Sequence, residues 1–122
     1  MIAVDTSVLV AIILDEPDGS QFREALLATD HAAMSAATLV ELNVVMSRRL
    51  GEQGRRVAAE LLRDLSVSIH PVSEAQAQIA AEAYHRYPVL NFGDCFSYAL
   101  AKDLDIPLLF KCRFADVLGL IL

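Results

Sequence analysis

The chain has 122 residues, 55% of them apolar, and a formal net charge of −6. That length predicts one domain over residues 1–122, with a core that needs no disulfide or metal staples. The negative charge excludes a binder that simply coats phosphate with basic side chains, while leaving room for a site that works through a cation.

The apolar run at the start is too short to span a bilayer, and it carries Asp5 with no basic segment before it, so it reads neither as a membrane helix nor as a secretory signal. Cys95 and Cys112 do not make a disulfide framework, and His31, His70 and His85 lack zinc spacing. The cytoplasm is the simplest location. A mean hydropathy of +0.43 is high for a chain this small, which predicts an interface with a second copy or with a partner.

In chain order, Ile2 to Val4 reads as a short buried strand and Thr6 to Leu14 as a helix. Glu16-Pro17-Asp18-Gly19 breaks that helix, and Gln21 to Ala28 forms the next, with Phe22, Ala25 and Leu26 on one face. Ala32 to Ser35 is a second strand. Ser35 or Thr38 opens a helix that runs to about Leu50, where Gly51 fits a C-terminal stop. Gln53 to Leu65 carries Val57, Leu61 and Leu65 at helical spacing, and Ser66 to His70 alternates like a strand. Ser73-Glu74 opens a helix to Tyr87, Asp94 to Leu104 is another, and Pro107 to Phe110 is a last core strand. Helices alternating with short buried strands predict an α/β fold, a mainly parallel sheet covered on both faces.

Ligands of such folds bind beyond the carboxyl ends of the strands, where Asp5 lies. A lone carboxylate in an apolar run is costly. Asp5 could simply cap the following helix. Glu41, in TLVELNVVM, could sit on an ordinary wet face with Thr38 and Arg48, and Asp94, in LNFGDCFSYALA, could be a first-turn acid that favours the helix dipole. If the three acids converge at one strand-end crevice, they make an all-oxygen site suited to Mg²⁺ or Mn²⁺. A cation there would explain how Asp5 stays ionised, and without it at least one of the clustered acids should have a raised pKa.

The segments VDTSVLVAIILDEP, SAATLVEL, LNFGDCFSYALA and IPLLFK occur in this order and resemble the PIN domain of VapC-type toxins, the ribonuclease halves of type II toxin–antitoxin pairs. The resemblance runs from Met1 to about Lys111, and GDCFSYALAK followed by PLLFK is its most specific part. It implies a PIN-like three-layer α/β/α sandwich. It places Asp5, Glu41 and Asp94 at the family's acidic metal positions, with Ser7 and Thr38 in support. It further implies Mg²⁺ (or Mn²⁺) dependence, endonucleolytic cleavage of structured RNA of the tRNA or rRNA class, a homodimer, and a VapB-like antitoxin that fills a hydrophobic groove and brings a basic side chain near the acids.

Two departures bear on activity. Only Pro88, Val89 and Leu90 separate Tyr87 from Asn91, where relatives have a longer basic loop. After LLFK, relatives read Gly, a variable residue, Asp and Phe, whereas this chain reads Cys112, Arg113, Phe114, Ala115, Asp116, leaving Asp116 as a displaced candidate for a fourth acid. The chain is therefore expected to be less active than relatives with the usual ending, or to act mainly through dimerisation and antitoxin binding. For holding RNA, Arg48, Arg49, Arg55 and Arg56 form the clearest basic cluster, equally readable as a solvated helix–turn–helix corner, and Lys111 and Arg113 follow a strand end. A phosphoryl-transfer receiver module is disfavoured, because Asp5 has no paired acid and Asp-x-Asp-x-Thr is absent.

Overall fold

The computed structural model describes residues 1–111. Cys112, Arg113, Asp116 and the tail whose sequence departs from relatives lie outside the described residues.

Four short strands, β1 (Ile2–Val4), β2 (Ala32–Ser35), β3 (Val67–His70) and β4 (Leu108–Leu109), form one sheet in the order β3-β2-β1-β4 with every pairing parallel. The helices are α1 (Thr6–Ile13), α2 (Gly19–Ala28), α3 (Ala36–Leu50), α4 (Glu52–Asp64), α5 (Glu74–Arg86) and α6 (Phe92–Leu104). Parallel strands need crossovers, and helices supply them, so the sheet is buried on both faces.

The strand sequences divide the core in two. Ile2, Val4, Ala32, Met34 and Leu109 face Val8, Leu9, Leu42, Met46 and Leu61 from α1, α3 and α4. The alternate positions Ala3, Ala33 and Leu108 face Leu100 and Ala101 of α6. Alanine at Ala3 and Ala33 leaves room for α6 to lie close to the sheet. On its far side, Cys95, Tyr98 and Ala99 of α6 pack against Ala80 and Ala83 of α5.

The strands fall where the sequence predicts them, with β4 trimmed to Leu108–Leu109. Ser35, not Thr38, caps α3, its hydroxyl accepting from the Ala37 amide at 3.2 Å. Gly51 ends that helix at φ +67°, a conformation glycine adopts without strain. Helix α2 starts at Gly19 rather than Gln21, and a difference of the same size lies at the start of α6. It begins at Phe92, two residues before Asp94, because Asn91 and Asp94 form a reciprocal capping box: the Asn91 side chain accepts from the Asp94 amide at 2.8 Å, and Asp94 Oδ2 accepts from the Asn91 amide at 3.0 Å.

Chain order runs from β1 outward to β2 and β3, then returns to place β4 on the other side of β1. The reversal puts a topological switch point between β1 and β4, the position where open α/β sheets bind ligands. Asp5 follows β1 there, and its amide donates to the Leu109 carbonyl at 3.1 Å.

Candidate active site

Asp5 is 1% exposed, and its burial is supported by donors to both oxygens. The Ser7 amide and hydroxyl reach Oδ2 at 3.1 and 2.7 Å, which is the N-cap of α1. The Ser97 hydroxyl reaches Oδ1 at 2.5 Å from α6. Because Ser97 gives its only hydrogen to Asp5, the Thr38 hydroxyl, 3.1 Å away, is the donor in the Thr38–Ser97 bond. Thr6 in turn donates to the Thr38 carbonyl at 3.2 Å. The network joins α1, α3 and α6 beneath one carboxylate. The capping reading of Asp5 is thus correct and incomplete, since a cap alone does not require a buried partner from α6.

Glu41 approaches from α3. A Cβ at Gly93 would meet its Oε2 at 2.1 Å, so its carboxylate lies against the first turn of α6 in space that only glycine leaves open. Asp94 stands one residue further on. Burial raises the Glu41 pKa most strongly, opposed by the nearby Thr6 hydroxyl and aided by the charge of Asp5. Burial likewise leads in raising Asp94 to about 6, with the charges of Asp5 and Glu41 adding to it against the Asn91 amide. Glu41 thus feels the charge of Asp5, and Asp94 feels the charges of Asp5 and Glu41, but for both desolvation outweighs repulsion.

Among the described residues, no group of three or more His, Cys, Asp or Glu side chains stands ready to hold a metal ion directly. The bonds of the carboxylates explain this. Both oxygens of Asp5 accept from serines, and Asp94 Oδ2 is turned to its cap. A carboxylate has about four lone-pair sites, so each acid keeps acceptor capacity. An all-oxygen donor set with charge unbalanced among one buried and two half-buried acids fits a hard cation that retains several waters and uses one or two carboxylates.

Ser97 and Gly93 escaped the sequence reading. Ser97 is a polar residue in the apolar run FSYALA, one helical turn after Asp94, and that spacing is its signal. Gly93 was legible only as part of a motif.

The basic residues are not gathered at the acids. Arg48, Arg49, Arg55 and Arg56 are exposed at the α3–α4 corner. Arg48 alone lines a groove together with Glu41. Lys111 is paired with Glu16 and with Asp18, the latter at 3.1 Å, and so is already neutralised within the chain. No helix among the described residues is long and apolar enough to cross a membrane.

Residues 2–112 match the PIN domain family model. The chain is 43% identical over 123 aligned positions to a protein of Mycolicibacterium smegmatis named Ribonuclease VapC, covering 93% of this chain and 95% of that one. It is 42% identical over 114 positions to Ribonuclease VapC30 of Mycobacterium tuberculosis, covering 88% and 87%. In structure it resembles Mycobacterium tuberculosis VapC20, described as a sarcin-ricin loop cleaving toxin, with a TM-score of 0.79 at 20% identity over 99% of this chain and 97% of that one. It also resembles a toxin-antitoxin complex chain from Klebsiella pneumoniae, with a TM-score of 0.75 at 22% identity over 100% and 97%. With the family model matching nearly all of the described residues and relatives at this level of identity, the chain belongs to the PIN-domain family, among the VapC ribonucleases.

Proposed function

We propose that this protein is the endoribonuclease toxin of a VapBC-type toxin–antitoxin pair, and that it cleaves RNA phosphodiester bonds with Mg²⁺ or Mn²⁺. The observation that supports this reading is Glu41 lying against the first turn of α6, next to Asp94, with Asp5 near enough for its charge to help raise the pKa of both. Asp5 is held as an acceptor by Ser7 and Ser97. Glu41 and Asp94 supply the carboxylates that are least tied down, and either can accept a proton from an attacking water. A bound divalent ion would supply a polarised phosphoryl oxygen and a water of lowered pKa. It would also offset the repulsion between the acids and the RNA backbone.

The substrate is structured RNA of the tRNA or rRNA class, and the setting is the cytoplasm. The exposed Arg48 and Arg49 are the side chains suited to phosphate. A homodimer is supported by an exposed apolar face. Val40 and Phe92, 63% and 72% exposed, line with Phe96 and Glu41 a groove of about 610 Å³ between α3 and α6. A VapB-like antitoxin is the second partner. A second groove of about 610 Å³, lined by Leu39, Leu62, Arg55 and Arg56, lies between α3 and α4.

The test is total RNA incubated with purified protein and Mn²⁺, with and without EDTA, beside Asp5→Asn, Glu41→Gln and Asp94→Asn. Metal-dependent cleavage into discrete fragments, lost in each variant that still folds, is the expected result. A protein that dimerises and binds its antitoxin but leaves RNA intact would instead be the weakened form expected from the divergent tail.

A further inference from the structure

Lys111 follows β4 and was expected to touch RNA. Its surroundings argue for another role. Its ammonium pairs with Glu16, and with Asp18 at 3.1 Å, in the turn between α1 and α2. Asp18 Oδ1 makes no aligned hydrogen bond, so its attraction to Lys111 is that of an ion pair. The Lys111 backbone amide lies 3.0 Å from the Ser7 hydroxyl. An amide can only donate, so Ser7 Oγ accepts there, and its single hydrogen remains for Asp5 Oδ2 at 2.7 Å. A chain of bonds thus runs from the Lys111 ion pair to the buried carboxylate.

We propose that Lys111 is a positioning residue: its ion pair with Glu16 and Asp18 holds the chain leaving β4 against α1, so that its amide fixes the Ser7 hydroxyl as a donor to Asp5. The inference rests on the reading of Asp5 as part of a metal-dependent site. It goes beyond that reading in giving Glu16, Asp18 and Lys111 a joint task and in removing Lys111 from the RNA contacts.

The two roles for Lys111 predict opposite results when the acids are neutralised. If Lys111 positions Ser7, the double variant Glu16→Gln/Asp18→Asn and the variant Lys111→Met behave alike. Each weakens Mn²⁺ binding in calorimetry and lowers kcat by about 10-fold, at the low end of what loss of an outer-shell partner costs. KM and the salt dependence of RNA binding stay as in the wild type, and Lys111→Arg, which restores the pair, recovers most of the loss. If Lys111 instead holds phosphate, the double variant frees its charge and lowers KM, while Lys111→Met raises KM and reduces the salt slope by about one. That pattern overturns the proposal, as does unchanged Mn²⁺ affinity in both variants. Thermal melting identifies any variant that fails to fold, in which case single Asp18→Asn and Lys111→Arg proteins decide the matter by Mn²⁺ affinity. Should the wild type leave RNA uncut, the ribonuclease reading fails, but the calorimetry still tests the ion pair.

Discussion

The Ser97 hydroxyl donates to Asp5 Oδ1 at 2.5 Å across 92 positions of chain. This bond fixes the end of β1 to the helix that carries Asp94, so two acids distant in sequence are held by one small side chain. Removing it leaves Asp5 Oδ1 buried with a partner lost and Thr38 without its acceptor. We expect Ser97→Ala to destabilise the fold by about 1–3 kcal/mol and to weaken Mn²⁺ binding by about 10–100-fold. Calorimetry and denaturant melts measure the two effects separately. Unchanged metal affinity would reduce Ser97 to a structural bond.

Gly93→Ala tests the fit of Glu41 against α6. The added methyl would fall 2.1 Å from Glu41 Oε2. Alanine suits a helix better than glycine by roughly 1 kcal/mol, so helix propensity predicts a stabler protein. The carboxylate must nevertheless move, and we expect cleavage to drop at least about 10-fold with little change in melting temperature, in keeping with the sensitivity of catalysis to small displacements. An active Gly93→Ala enzyme would mean that the position of Glu41 is not critical.

The elements were legible because the signals were local. β1 is an unbroken apolar run, β2 is apolar up to Ser35, and Gly51 and Ser73 punctuate helices in the usual way. The start of α6 lies two residues before Asp94 because the Asn91–Asp94 capping box makes Asn91 the cap and places Asp94 in the first turn. At the site, each of the three acids also has an ordinary local explanation, so what singles them out is their combination with a strand-end position, together with the resemblance of the segments around them. Ser97 was missed because its importance comes from a contact with Asp5 on the first strand. Spacing along the chain likewise does not reveal that Glu16 and Asp18 fold back onto Lys111.

The raised pKa of Asp94 gives the metal-free protein a pH dependence of definite sign. Between about 4 and about 6, the folded protein holds a proton that the unfolded chain, with a value of 3.8, has lost. The stability from this group is therefore complete below pH 4 and is lost as pH rises through about 6, an effect that solvent screening keeps modest because Asp94 is only about half buried. Asp94→Asn should flatten that part of the profile. A metal-free wild type whose stability rises over the same interval would show that another group dominates.

At neutral pH the same unfavourable charge becomes an affinity for cations. Metal bound only to the folded state stabilises by mass action, about 2.7 kcal/mol at 100 times its Kd, which for a domain of this size raises Tm by roughly 10 °C. Mn²⁺ and Mg²⁺ should produce this shift in the wild type and not in the triple variant Asp5→Asn/Glu41→Gln/Asp94→Asn. Calcium-free buffers of matched ionic strength control for screening. Equal shifts in both proteins would indicate a general salt effect.

The apolar face between α3 and α6 sets the last expectation. Val40, Val44 and Phe92 are 63%, 43% and 72% exposed, a cost to a solitary subunit that an interface removes. Phe92 packs edge-on against Phe96 with ring centroids 5.1 Å apart, which gives the face a rigid aromatic centre of the kind that dominates interface energies. We expect the wild type to be dimeric at micromolar concentration in analytical ultracentrifugation, and Val44→Glu/Phe92→Glu to be a folded monomer. Phe92 opens the helix that carries Gly93 and Asp94, and the same groove includes Glu41. Dimer contacts should therefore steady the first turn of α6, and the monomeric variant should bind Mn²⁺ more weakly than the wild type. A wild type that sediments as a monomer at high concentration would leave this face to a different partner. A monomeric variant with unaltered Mn²⁺ affinity would separate assembly from the site.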